Sequence, residues 1–198
     1  TNEGFSEIWW FYCQSGSTTA SRYVIYNYAQ NIWYYGNLSR TAWIDSGIRD
    51  FPLAATYNNN VVNHEDGIDD NETGTNAGIS SFITSAQFDL DDGHRFAFIQ
   101  KVYPDVTFDG STAESPSATL SLFAAQNSGS GRNSPASEGG TNTGSITRTA
   151  TAPIEAFTSR LDLRVRGRQL ALKIESSDAG VKWQLGSPRL EMRPDGRR

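Results

Sequence analysis

EIWWFYCQSGSTTASRYVIYNYAQNIWYYG, residues 7–36, sets three dense aromatic runs between two polar spacers. Each run is short and rich in aromatic and β-branched side chains, which suit a pleated strand better than a helix, and the spacers are Gly/Ser/Thr-rich or the polar Ala29-Gln30-Asn31. The stretch predicts a three-stranded β-meander. In the middle run Tyr23, Ile25 and Asn27 alternate with Val24, Tyr26 and Tyr28, so both faces carry large apolar or aromatic groups. A strand coated on both faces belongs in a sheet covered on both sides, as in a stacked blade. The meander holds three of the five Trp and six of the eight Tyr, so it is expected to bury the most area per residue, with Trp9, Trp10 and Trp33 in the core.

Further short strands are predicted at 41–45 (TAWID), 51–56 (FPLAAT) and 60–65 (NVVNHE), with a tight turn at Tyr57-Asn58-Asn59, where Asn accepts left-handed geometry. Residues 66–78, DGIDDNETGTNAG, form a polar break between an aromatic part and an aliphatic part. The chain thus divides into a propeller-blade-like β-meander over 1–75 and a second unit over 76–198. Strands are expected at 79–89, 95–107 and 118–125, then an exposed Gly/Ser/Asn/Thr-rich loop at 126–145. In 160–166 (RLDLRVR) Leu161, Leu163 and Val165 share one face, and in 168–175 (RQLALKIE) Leu170, Leu172 and Ile174 do the same. Gly167 between them predicts a tight hairpin. A last strand over 181–192 closes a β-sandwich of six or seven strands, while 153–157 supplies one helical turn at most. The fold class is therefore all-β, an aromatic-rich antiparallel meander followed by a sandwich.

An apolar content of 37% over 198 residues suits an all-β chain with long polar loops. No run approaches the ~20 apolar residues that span a bilayer, so no membrane partner is expected. Cys13 is single and sits in an apolar strand, where a small buried hydrophobe in a reducing cytoplasm is the expectation. The net charge of -5 conceals an asymmetry: residues 1–147 carry six Lys/Arg against sixteen Asp/Glu, and residues 148–198 carry eleven against six. Such polarity suits head-to-tail contact between copies, or a lumen that repels nucleic acid while another face docks elsewhere, and solvated charged faces are the plain alternative.

Residues that carry chemistry are few. His64 and His94 each stand beside a turn with acids nearby, and no partner at supporting spacing makes either a nucleophile-activating base. Glu65, Asp66, Asp69 and Asp70 are the metal candidates, because loop carboxylates offer the oxygen ligands that calcium takes, although the spacing is not that of an EF-hand. No carboxylate pair stands out for glycoside hydrolysis, and no cofactor motif is present. Exposed aromatics on a sheet would stack on sugar rings, yet core packing accounts for the tryptophans more simply.

The strings at 7–12 (EIWWFY), 22–28 (RYVIYNY), 33–36 (WYYG) and 40–45 (RTAWID) resemble the C-terminal part of tail nozzle, or packaged-DNA-stabilising, proteins of short-tailed bacteriophages. Residues 57–70 with their His-Glu-Asp-Gly core, and 186–198 (GSPRLEMRPDGRR), share the resemblance, which is weakest across 110–150. It carries over no catalytic residue. It implies a virion structural protein, assembled in the host cytoplasm, whose copies form a homo-oligomeric ring, often of six, beside the portal, adaptor and other tail proteins, with DNA passing through unbound. A propeller needs at least four blades of about four strands, so the resemblance implies a large part before Thr1. On this reading Arg160, Arg164, Arg166, Arg168, Arg193, Arg197 and Arg198 form the interface, since Arg pairs bidentately with carboxylates of a neighbouring copy or adaptor. A carbohydrate-binding or host-receptor-binding β-domain is the alternative, and a glycan-degrading enzyme the third.

Overall fold

The computed structural model describes residues 1–90, 93–125 and 146–196, with the backbone alone at 146 and 147. The loop expected at 126–145, Asp91, Asp92, Arg197 and Arg198 lie outside the described residues. Described secondary structure is β throughout apart from one 3₁₀ turn, Glu3–Phe5. Two compact units emerge, 1–67 with 71–75 and 68–70 with 76–198.

In the first unit β1 (Glu7–Cys13), β2 (Ala20–Asn27) and β3 (Ile32–Asn37) form the antiparallel meander read from the aromatic runs. Register places Trp9 opposite Ile25 and Ile25 opposite Tyr34, while Trp10 faces Val24 and Val24 faces Tyr35. The β2–β3 turn is held by Asn27, whose Nδ2 donates to the Phe5 carbonyl at 3.1 Å and whose Oδ1 accepts the Gln30 N–H at 2.9 Å. A second sheet, β4 (Ala42–Ile44), β5 (Leu53–Ala55) and β6 (Val61–Asn63), supplies the cover, and Asn59 takes the left-handed conformation at the β5–β6 turn (φ 63°).

That cover reaches one face only. Trp43 of β4 stacks on Trp9 (ring centroids 5.2 Å apart), Trp9 stacks on Tyr23 (5.2 Å) and Phe11 packs on Trp43 (6.1 Å). Gly36 lies opposite Tyr23, where an added Cβ would collide with the phenol ring, so glycine lets that ring lie across β3. On the other face Trp10 is 45% exposed and Trp33 60%, with Tyr12 and Tyr35 also exposed. The expectation that Trp10 and Trp33 are core is corrected: a sheet of three-residue strands covers one side of the meander, and no described layer covers the other. Cys13 is exposed as well, at a bulge where β1 slips register against β2.

The second unit begins with the paired strands β7 (Asp69–Asp70) and β8 (Ala77–Gly78). The predicted strand over 79–89 is broken into β9 (Ser81–Thr84) and β10 (Phe88–Asp89), because Ser85 leaves the strand line and bonds Leu172 through both its N–H and its Oγ. Likewise 95–107 divides into β11 (Ala97–Tyr103) and β12 (Val106–Thr107) at Pro104 and the left-handed Asp105. Then follow β13 (Ser117–Ala125), β14 (Ile146–Glu155), β15 (Leu161–Gly167), β16 (Gln169–Ser176), β17 (Gln184–Leu185) and β18 (Arg189–Pro194). Strand β14 was not expected, because its described inward side chains are Ala150, Ala152 and Ile154 and it contains Pro153, which an edge strand tolerates.

β15 and β16 do not form the predicted hairpin. β15 pairs with β11 in the sheet β15-β11-β18, and β16 pairs with β13 in the sheet β10-β16-β13-β14, with β9 also on β16. The chain changes sheets at Gly167 and Arg168, as corners of packed sheets do. An added Cβ at Gly167 would come within 2.9 Å of the Ala124 Cβ and 3.0 Å of the Gln169 carbonyl, and the Arg168 N–H donates to the Ala125 carbonyl at 2.8 Å. Both stripes read from alternation still point inward. Leu163, Val165, Leu170, Leu172 and Ile174 join Ile99, Val102, Leu120, Leu122 and Ile154 in one buried core between the two sheets. The dense aliphatic core of the described structure thus lies in the second unit, not in the meander.

Two outcomes are expected. Trp9→Ala should lower stability by about 3 kcal/mol, whereas Trp33→Ala should cost no more than about 1 kcal/mol in denaturant titrations. Gly167→Ala should cost about 1–3 kcal/mol, since the corner has no room for a methyl group.

Candidate functional site

The outward face of the meander is the first candidate. Trp10 and Trp33 stack at 5.9 Å with their planes 22° apart, and Tyr26 stacks on Trp33 at 4.6 Å. The Tyr26 hydroxyl donates to Asn31 Oδ1 at 3.0 Å, and Arg22 donates to Gln14 Oε1 at 2.8 Å at the margin. Four half-exposed aromatics leave on the order of 400 Å² of ring surface in water. Patches of that size on a protein surface mark interaction sites.

The outer face of the β15-β11-β18 sheet is the second. A register shift between Ile99 and Lys101 keeps Ile99 and Val102 in the core while Lys101 and Tyr103 point outward. Cross-strand rows then align Arg166 with Phe98 and Arg193, and Asp162 with Lys101 and Glu191. Arg160 donates to Asp162 (3.1 Å), Lys101 to Glu191 (2.9 Å), Arg193 to Glu191 (3.1 Å), and Arg166 is paired with Asp195. Arg189 lies 5.7 Å from the Tyr103 ring centroid, and Arg164 is exposed on the same outward alternation. Hydrogen bonding and charge from Glu191 hold the Lys101 ammonium above its ordinary pKa, and Lys101 followed by Arg193 lowers that of Glu191. These six cations meet three carboxylates among the described residues.

Of the sequence-predicted interface residues, Arg160, Arg164, Arg166 and Arg193 converge on this face. Arg168 follows them at the sheet-changing corner, where its guanidinium lies over the same Phe96 ring as that of Arg166, 5.0 and 4.0 Å from the centroid. Lys101 and Arg189 were missed, the first lying in a strand read only for its apolar residues and the second within the last predicted strand, where its place beside Tyr103 depends on the pairing of β11 with β18.

The acid candidates diverge. Glu65 accepts from Asn2 Nδ2 (3.2 Å) and Asp66 from Asn63 Nδ2 (3.3 Å) in the first unit, while Asp69 accepts the Gly180 N–H (2.6 Å) in the second and Asp70 pairs with Ala77. Among the described residues no three His, Cys, Asp or Glu side chains gather as a metal site. His64 accepts from Arg40 Nε at 2.9 Å and packs against Trp43, and Arg40 also pairs with Glu72 at 3.1 Å, so this histidine is tied into the first unit's packing. His94 is exposed. No described helix is long and apolar enough to cross a membrane.

Glu7, Glu65 and Tyr23 lie close enough to feel one another's charge, and Trp9 Nε1 donates to Glu7 at 2.9 Å. Burial first, then the Glu7 charge, pushes the Glu65 carboxyl up, and burial followed by Glu7 and Glu65 pushes the Tyr23 hydroxyl up. Comparison with protein-family models and with curated protein sequences finds no match for this chain.

A carboxyl whose folded pKa is raised binds its proton more tightly in the native state. Its stabilising contribution is complete below the unfolded value and is lost as pH rises through the folded one. Glu65→Gln should therefore match the parent chain near pH 4 and melt higher than it by pH 7, because Gln keeps the Asn2 acceptor without the charge. Melting temperatures of both proteins across that range check this, and a parent chain that gains on the variant with rising pH contradicts it.

Proposed function

We propose that this chain is a non-enzymatic virion structural protein of a short-tailed phage, part of the tail nozzle or hub ring that retains and conducts the DNA. On this reading copies assemble in the host cytoplasm into a homo-oligomeric ring, hexameric in the resembled family's usual form, next to portal, adaptor and other tail proteins. The observation that carries it is the half-covered meander: one face is packed by the β4–β6 sheet, and the other leaves Trp10, Tyr12, Trp33 and Tyr35 in water. A blade-like sheet with one open aromatic face fits a module that stacks against further protein. The resemblance of the aromatic strings and the C-terminal segment supports the same reading, which assigns no catalytic residue and no cofactor. A net charge of -5 suits a conduit that lets DNA pass without specific binding.

A carbohydrate-binding or host-receptor-binding domain is the second reading, favoured by the near-parallel Trp10 and Trp33 rings, which would stack on sugars. Electron-microscopic class averages of the purified chain should show rings. Trp10→Ser combined with Trp33→Ser should leave the circular-dichroism spectrum intact while lowering the ring fraction several-fold, because hot-spot aromatics dominate interfaces. A monomeric chain that binds glycans on an array, and loses them in that variant, would replace the structural reading with the second.

A further inference from the structure

Among the described residues, the outer face of the β15-β11-β18 sheet carries more cations than carboxylates. Its cations Arg160, Lys101, Arg164, Arg166, Arg189 and Arg193 outnumber Asp162, Glu191 and Asp195 by three. The surplus is held in place: Glu191 bridges Lys101 and Arg193, Asp162 fixes Arg160, Asp195 fixes Arg166, and the Tyr103 ring underlies Arg189. Pre-positioned guanidinium forks lose less side-chain freedom on meeting carboxylates. Two partner classes fit a cationic sheet face, a polyphosphate backbone and an acidic protein surface. The three carboxylates among the cations favour the protein, since each would repel a phosphate while a protein surface can answer it with a cation of its own.

The same chain carries such an acidic surface. Its first unit holds seven Asp/Glu against three Arg. Asn2 exchanges backbone hydrogen bonds with Glu7 and donates its side chain to Glu65, while the Glu3 N–H donates to Asp45 at 3.1 Å, so Glu3, Glu7, Asp45 and Glu65 belong to one connected stretch of the first unit. Among the described residues neither these four nor Asp66 makes a salt bridge to Lys or Arg.

We propose that the basic outer face of the β15-β11-β18 sheet docks on the acidic first unit of a second copy of this chain, a heterologous, head-to-tail contact. This rests on the reading that copies of the chain assemble. Unlike a two-fold contact, each copy then offers one basic and one acidic surface, and assembly propagates or closes according to the rotation between neighbours. The contact is electrostatic in selectivity and sensitive to salt.

A charge-swap experiment on the full chain tests it by sedimentation velocity at about 0.15 M salt. Arg164→Glu with Arg189→Glu should weaken self-association at least about tenfold, and Glu3→Lys with Asp66→Lys should do the same. An equimolar mixture of the two variants should recover association, because the reversed faces complement each other; recovery shows that both are folded. Association unchanged in either variant, or a mixture that stays dissociated while both give the parent circular-dichroism spectrum, overturns the docking mode and leaves the assembly reading standing. A parent chain that stays monomeric at every concentration overturns both. Salt-sensitive binding of duplex DNA by the parent chain, lost in the Arg164→Glu, Arg189→Glu variant, overturns the protein partner in favour of nucleic acid.

Discussion

The crossing of the chain from one sheet to the other at Gly167 organises the second unit. A hairpin at that point would place 160–166 and 168–175 side by side in one layer, with their aliphatic stripes on a single surface. The corner sends them to facing layers instead, so that Leu163 and Val165 close onto Leu170, Leu172 and Ile174. The crossing needs a residue without a side chain where β15 ends against Ala124, and it needs the Arg168 N–H bonded to Ala125. Because Leu163 and Val165 turn inward, Arg164 and Arg166 turn outward, and the core and the basic face are two consequences of one bend.

The first unit follows a different logic. It has little aliphatic core, with Ile25, Pro52 and Ala54 its only buried apolar side chains among the described residues. Stability there comes from rings on rings, Trp43 on Trp9 and Trp9 on Tyr23, together with buried polar groups that are all engaged: Asn27 on the turn, Asn2 on Glu7 and Glu65, Arg40 on His64 and Glu72. Aromatic side chains give large contact area per residue, so three short strands suffice to cover one face of the meander. They do not suffice for two. The uncovered face is the feature on which the proposed assembly role depends, and its chemistry differs from that of the basic sheet face in the second unit. One is apolar and indifferent to salt, the other directional and screened, a combination that would let adhesion and register be set by different surfaces.

Strand identity was legible in the residues wherever side chains were large. The runs at 7–12, 22–28 and 33–36 became β1, β2 and β3, and the alternation of Leu161, Leu163, Val165 and of Leu170, Leu172, Ile174 named the inward stripes. Strand β14 escaped because Ala, Thr and Pro153 leave almost no apolar signal, and its inward methyl groups acquire meaning only opposite Leu120 and Leu122 of β13. The broken strands at Ser85 and Pro104-Asp105 were half visible, since proline marks the second break, whereas the double bond from Ser85 to Leu172 requires the neighbouring strand to exist.

Local pattern thus determined the fold class, the meander, its aromatic pairing faces and the outward set of Arg164 and Arg166, because a strand's period of two is written in consecutive residues. Which strand lies beside which, and which aromatic face is covered, depended on contacts between residues far apart in the chain. Arg166 meets Arg193 across Phe98, and Trp9 meets Trp43, only after the sheets have formed. The same holds for Gly167: its sequence neighbours say that the chain turns there, and only the Ala124 side chain, brought close by the tertiary structure, decides that it turns into the other sheet.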